Sequence, residues 1–130
     1  MSRTVLLIED NEQNRYLATF LLERSGYRVV AEADGPHGIE TARTLDPDII
    51  LLDIQLPTMH GYAVAKALRA IGSLRDTPII AVTSYAMAGD REKSIDSGCS
   101  GYIEKPINPD TFIAEIESIC ASVAAPGRHP

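Results

Sequence analysis

Five residues with reactive or metal-binding side chains follow the apolar segments of this 130-residue chain. The first apolar segment ends at Glu9-Asp10, the third ends at Asp53, the fourth ends at Thr83, and Lys105 follows the fifth. Taken alone, each residue is more simply a helix cap, a turn former or a solvated side chain. Their shared position after four separate apolar segments indicates that they form one site.

The residue types at these positions favour phosphoryl chemistry supported by a cation. Carboxylates that lie close together repel one another unless a cation sits between them. Oxygen ligands with open positions suit Mg²⁺, whereas zinc would favour His or Cys, and neither follows these segments. A carboxylate can attack phosphorus to form an aspartyl phosphate, while a metal and a lysine offset charge on the phosphoryl oxygens.

The pattern of the whole chain predicts alternating strands and helices. Continuous apolar runs are typical of strands buried on both faces of a parallel sheet, and residues at helical spacing lie between them. The predicted strands are 4–8, 27–33, 48–53, 78–83 and 101–103, and the predicted helices lie at 12–24, 36–45, 61–71, 90–97 and 109–123. This alternation indicates an open doubly wound α/β fold with a parallel five-stranded sheet and helices on both faces. Ligands of such sheets bind beyond the carboxyl ends of the strands, where all five residues fall.

Local signals predict where some helices begin and how the strands are arranged. Asn11 is the expected N-cap of the first helix, and Pro36 is expected at the first position of the second. Asn108 is expected to cap the last helix, with Pro109 at its first position. The second strand is more polar than the others and should lie at an edge, while the third is the most apolar and should be central.

Composition predicts a single soluble domain at residues 1–123 and a flexible tail at 124–130. The chain has 12 Lys+Arg against 18 Asp+Glu, a net charge of −6, which argues against binding nucleic acid or a membrane surface. Its first apolar segment is too short for a signal sequence or a membrane span, so a cytoplasmic location is expected. Cys99 and Cys120 are too few for a disulfide framework and are expected to be free thiols.

The ordered set of site residues resembles the receiver domain of two-component response regulators, over residues 5 to about 123. Glu9-Asp10 matches the acidic pair of that family, Asp53 matches its phosphoacceptor, and Thr83 matches its switch hydroxyl.

Further positions extend the resemblance around the phosphoacceptor and towards the end of the chain. Pro57 and Gly61 stand at the family's spacings after the phosphoacceptor. Lys105 and the following proline match the family's lysine and the proline joined to it by a cis peptide bond, and Tyr102 matches its switch aromatic.

The resemblance implies a role for each of these residues. Asp53 would accept the phosphoryl group with the help of Lys105 and Thr83. Mg²⁺ would be held by Asp10, Asp53 and the backbone carbonyl of Gln55, with Glu9 reaching it through water because its side chain is longer than the commoner Asp.

The resemblance also implies partners and a mode of action. Within the family, the chain is most similar to single-domain receivers that regulate cell division. It would take its phosphoryl group from a histidine kinase or a histidine phosphotransfer protein. It would then signal to a downstream kinase-like or regulatory protein, as a monomer or weak dimer. Such a protein catalyses only its own phosphorylation and dephosphorylation.

Four alternative functions remain open from the residues alone. A phosphate shuttle in a phosphorelay would use the same site. A flavodoxin-like cofactor carrier shares the expected 2-1-3-4-5 strand order, but its phosphate loop would be replaced by the acidic Glu9-Asp10. A phosphatase of the haloacid dehalogenase type wants a second acid where Gln55 stands. A degenerate receiver would serve only for docking.

Overall fold

The five predicted strands form one parallel sheet in the computed structural model, which describes residues 3–56, 59–84 and 90–124. The strands are β1 (Thr4–Ile8), β2 (Arg28–Glu32), β3 (Ile49–Asp53), β4 (Ile79–Thr83) and β5 (Gly101–Glu104). Their order is β2-β1-β3-β4-β5, and every neighbouring pair is parallel. The predicted fold class and strand order are therefore confirmed, with β2 at an edge and β3 in the centre.

Within the described ranges, five α-helices connect and follow the strands. They are α1 (Glu12–Arg24), α2 (Gly35–Leu45), α3 (Gly61–Arg69), α4 (Asp90–Asp96) and α5 (Phe112–Ala124), with a short 3-10 helix at Gly72–Leu74. No helix in the described ranges combines the length and the apolar character needed to cross a membrane.

The sheet separates two hydrophobic layers because successive side chains of a strand point to opposite faces. Leu6 and Ile8 pack with residues of α2 and α3 on one face, while Val5 and Leu7 pack with residues of α1 and α5 on the other. Every residue of β3 and of β4 is buried, as the continuous apolar runs predicted. These two rigid central strands carry Asp53 and Thr83 at their carboxyl ends.

The N-terminal ends of α2 and α5 depart from prediction by one and three residues, while those of the other three described α-helices agree with it. Asn11 caps α1 as expected, since its side chain accepts a hydrogen bond from the Asn14 amide at 2.9 Å. Pro36 is the second residue of α2 rather than the first, because the Asp34 side chain caps that helix. α5 begins at Phe112 rather than at Pro109. Asn108 still caps the turn before it, because its side chain accepts from the Asp110 amide and its carbonyl accepts from the Phe112 amide, each at 2.9 Å.

The C-terminal end of α3 also differs from the predicted one. The helix ends at Arg69 rather than at residue 71. The Arg69 guanidinium donates hydrogen bonds to the carbonyls of Leu74 and Thr77, each at 2.8 Å, and to that of Gly98 at 2.6 Å. These bonds fold the chain back beside the last turn and connect α3 to the segment between α4 and β5.

Candidate metal and phosphoryl site

Three carboxylates converge at the carboxyl edge of the sheet. Glu9 follows β1, Asp10 begins the loop to α1, and Asp53 is the last residue of β3. One oxygen of each carboxylate lies within 4.8 Å of the other two. Glu9 and Asp53 are 3% and 2% exposed, whereas Asp10 faces solvent. Two acids are thus held in the protein interior, and the third stands at the mouth of the site.

Lys105 supplies a positive charge to the two buried acids. Its Nζ lies 3.2 Å from Glu9 Oε1 and 3.2 Å from Asp53 Oδ1. The side chain enters from the loop after β5, and the following peptide bond to Pro106 is cis. One ammonium does not neutralise three carboxylates, so the site keeps a net negative charge.

Burial and the neighbouring Asp53 carboxylate alter the pKa of Glu9. Its burial, and then its contact with the Asp53 carboxylate, raise the pKa of Glu9 to about 7. The Asn11 amide, which donates to Glu9 Oε2 at 3.1 Å, and the nearby Lys105 oppose that rise only in part. Glu9 therefore keeps its proton to a higher pH than an ordinary glutamate does.

Backbone contacts fix the position of Asp53 and the loop behind it. The Gln55 amide donates to Asp53 Oδ1 at 2.9 Å, and the Ile54 amide donates to the Val82 carbonyl at 3.2 Å. Gly61, at the start of α3, donates to the Ile54 carbonyl at 3.0 Å. A Cβ at Gly61 would collide with the Ile54 backbone, so glycine is required for this close approach.

A side-chain hydrogen bond spans the edge of the site. Ser84 Oγ donates to Gln55 Oε1 at 2.8 Å, connecting the segment after β4 with the segment after β3. The sequence did not predict this contact, because nothing in the spacing of two residues 29 positions apart indicates that their side chains meet.

The two residues predicted as switch residues lie on neighbouring strands. Thr83 is buried at the end of β4 and pairs in register with Glu104 of β5. The Lys105 amide donates to the Thr83 carbonyl at 2.8 Å, so the backbone of Thr83 is tied to the segment that carries the lysine. Tyr102 is 37% exposed on β5. Pro57 lies outside the described residues.

Other chemically capable residues lie elsewhere. His60, expected to be a solvated loop residue, is exposed and caps α3, its Nδ1 accepting from the Tyr62 amide at 3.2 Å. Cys99 and Cys120 are buried free thiols, as predicted. Among the described residues, the cluster of Glu9, Asp10 and Asp53 is the only group of His, Cys, Asp or Glu arranged to hold a metal ion.

A sequence profile of the response regulator receiver domain matches residues 5–117 of this chain. The chain belongs to the response regulator receiver family. It is 44% identical over 118 residues to the polar-differentiation response regulator DivK of Brucella ovis, covering 91% of this chain and 96% of that protein. The DivK of Brucella anthropi is similar to the same extent.

Solved structures of receivers share the fold. The chemotaxis response regulator CheY4 of Vibrio cholerae superposes with a TM-score of 0.88 at 27% identity, covering 92% of this chain and 99% of that one. The receiver domain of a sensor histidine kinase from Pseudomonas aeruginosa gives a TM-score of 0.82 at 34% identity, covering 96% and 100%. That second structure has a magnesium ion coordinated in its active-site cleft. The family places this receiver in two-component signalling.

Proposed function

We propose that this receiver accepts a phosphoryl group from a phosphohistidine onto Asp53 and signals through phosphorylation-dependent binding to another protein. The observation that carries the proposal is the position of Lys105 Nζ, 3.2 Å from the carboxylates of both Asp53 and Glu9. This arrangement places a cation beside a carboxylate at the carboxyl end of the central strand, where a phosphoryl group can enter from solvent.

The donor set fits a magnesium ion. Its members would be Asp10, Asp53 and the backbone carbonyl of Gln55, all oxygen donors of the kind that Mg²⁺ prefers. Glu9 would contribute through water. The closeness of the three carboxylates supports this assignment, because a divalent cation would relieve their mutual repulsion. When bound, the ion would offset charge on the transferring phosphoryl oxygens.

Asp53, Lys105 and Thr83 would each have a separate role in the phosphoryl transfer. An Asp53 carboxylate oxygen attacks phosphorus, the new P–O bond forms as the P–N bond of the donor breaks, and the electron pair stays on the imidazole nitrogen. Lys105 offsets the negative charge of the phosphoryl oxygens. The Thr83 hydroxyl donates to one of these oxygens. The chain would act as a phosphoacceptor switch rather than as an enzyme on other substrates.

The same residues would convert phosphorylation into a change at the surface. A phosphoryl group gives Thr83 a charged acceptor, and such hydrogen bonds are worth about 1.5–3 kcal/mol. Movement of Thr83 would shift β5, because Thr83 pairs in register with Glu104 and its carbonyl accepts a hydrogen bond from the Lys105 amide. Tyr102 would respond by turning from solvent into the space that Thr83 leaves.

The surface that reports the change would be the groove between α4, β5 and α5. It has a volume of about 510 Å³ and includes Ile95, Tyr102, Glu104, Glu115 and Ile119. Its lining contains both apolar and acidic side chains, which suits a protein segment with apolar and basic side chains. We propose that a kinase-like or regulatory protein binds there, and that residues 1–123 form the receiver domain with residues 124–130 as a tail.

A phosphate shuttle is the second candidate, since it would need the same acceptor and only a second histidine protein. The donor in either case would be a histidine kinase or a phosphotransfer protein. We propose a cytoplasmic monomer or weak dimer, because the phosphohistidine of a two-component donor is offered in the cytoplasm.

Incubation with acetyl phosphate and Mg²⁺ tests the proposed acceptor. Intact-mass measurement should show one added phosphoryl group, which is lost in base. Asp53→Asn and chelation of Mg²⁺ should each abolish the addition. Asp76→Asn is the matched control, because Asp76 is an exposed aspartate outside the site. Labelling of the Asp53→Asn protein at the normal level would overturn the assignment.

A further inference from the structure

Arg15 contacts the backbone of the acidic pair from the first turns of α1. Its Nη1 donates to the Glu9 carbonyl at 2.9 Å and approaches the Asp10 carbonyl at 3.4 Å. Its own amide donates to the Asn11 carbonyl at 2.9 Å, as the first regular bond of the helix. The arginine therefore folds its side chain back over the loop that carries two of the three carboxylates.

The loop depends on few other contacts. The Glu9 side chain is held by Lys105 and by the Asn11 amide. Within the described part of the chain, no hydrogen bond or ion pair holds the Asp10 carboxylate, which is exposed. The direction of the Asp10 side chain therefore depends on the backbone beside it. The Glu9 amide donates to the Glu32 carbonyl at 3.0 Å, and the Arg15 side chain contacts the carbonyls of Glu9 and Asp10.

We infer that Arg15 is a positioning residue for the metal site. It holds the carbonyls of Glu9 and Asp10 so that their carboxylates stay directed towards Asp53. The inference rests on the proposed magnesium site and deepens it. It assigns a function to an arginine whose guanidinium contacts the backbone of the acidic pair rather than the carboxylates themselves.

The direction in which substitution of Arg15 changes Mg²⁺ affinity separates this role from a simple effect of charge. A cation beside a divalent ion repels it, so if Arg15 acted only by its charge, its removal would tighten Mg²⁺ binding. If Arg15 holds the loop, its removal weakens binding, because side chains that orient metal ligands are commonly worth 10-fold or more in metal affinity. The two mechanisms therefore predict opposite changes.

The experiment is titration of the metal-free protein with Mg²⁺ by calorimetry, comparing the parent protein with Arg15→Met and Arg15→Lys. We expect Arg15→Met to raise the Kd about 10-fold. Arg15→Lys, which keeps the charge but loses the planar guanidinium, should raise it by a smaller factor. Arg24→Met is the matched control, since Arg24 lies on the same helix at its far end, and its Kd should match that of the parent.

A second readout separates positioning from loss of the fold or of the reaction. Saturating Mg²⁺ should restore the rate of acetyl phosphate labelling in Arg15→Met, because the altered step is capture of the ion. Amide NMR shifts in metal-free Arg15→Lys should change at residues 9–11 and not at β4. Unchanged or tighter Mg²⁺ binding by Arg15→Met overturns the inference alone. Failure of the parent protein to bind Mg²⁺ overturns the inference together with the proposed metal site.

Discussion

The fold strongly alters the charge state of Glu9. Its pKa rises from 4.5 to about 7 because the carboxyl group is buried beside Asp53. The folded protein thus holds a proton that the unfolded chain releases, and this contribution to stability is complete below about pH 4.5. It is lost as the pH rises through 7.

The pH dependence of stability measures this effect. In EDTA, the free energy of unfolding of the parent protein, relative to that of Glu9→Gln, should fall by about 1–3 kcal/mol between pH 4.5 and pH 8. Urea unfolding across this range gives the difference. Glu23→Gln changes an exposed residue of α1, and its free energy of unfolding should vary with pH as that of the parent protein does. Parallel curves for the parent and Glu9→Gln would show that burial does not perturb this acid.

The Ser84–Gln55 hydrogen bond makes a prediction about phosphate lifetime. Gln55 stands two residues after the proposed acceptor, and the 2.8 Å bond from Ser84 holds its side chain across the edge of the site. A held amide obstructs the in-line approach of water, so Ser84→Ala and Gln55→Ala should both shorten the lifetime of phosphorylated protein. Decay of the label after removal of the donor is the measurement. Ser73→Ala is the control, at an exposed serine of the 3-10 helix. A lifetime unchanged in both variants contradicts the obstruction. By its position two residues after Thr83, Tyr85 is expected to shield the phosphoryl group as well, and it lies outside the described ranges.

At the scale of elements, the strands were predictable and the helix ends were less so. β3 and β4 are buried on both faces, and a continuous apolar run is a direct consequence of that environment. Parallel strands end at one edge, so convergence of Glu9, Asp53 and Thr83 followed from the strand assignment. The end of α3 depends instead on hydrogen bonds from Arg69 to backbone carbonyls as far as 29 positions away in the sequence. No local pattern indicates such contacts.

The junction of β3 and α3 gives a prediction about packing. Gly61→Ala would press a methyl group against the Ile54 backbone, so the loop behind Asp53 must shift. Overpacking of this kind costs about 1–3 kcal/mol, and thermal unfolding should show the loss. Gly72→Ala is the matched control, because a Cβ there would contact nothing within 4 Å. Equal midpoints for the two variants would mean that the loop absorbs the methyl group freely.

At the scale of the whole molecule, the proposed switch connects the site with the α4–β5–α5 groove. Thr83→Ala should still accept a phosphoryl group but should lose most of the change in partner affinity that beryllofluoride produces in the parent protein. Tyr102→Ala should change partner affinity without preventing phosphorylation. Calorimetric titration of a candidate kinase, with and without beryllofluoride, measures both. Equal affinity of the parent protein in the two states would favour the phosphate shuttle.

The central strand has a consequence for the chain before it folds. Ile49–Leu52 is four consecutive β-branched or leucine residues, a composition that favours intermolecular cross-β stacking when it is exposed. Asp48 and Asp53 stand at its two ends, in the place where charged gatekeepers restrain aggregation. We therefore expect the carboxylate proposed to carry the signal in the folded protein also to protect the newly made chain from aggregation. Neutralising it as Asp53→Asn removes one of the two charges, and refolding yield should then decline more steeply with protein concentration.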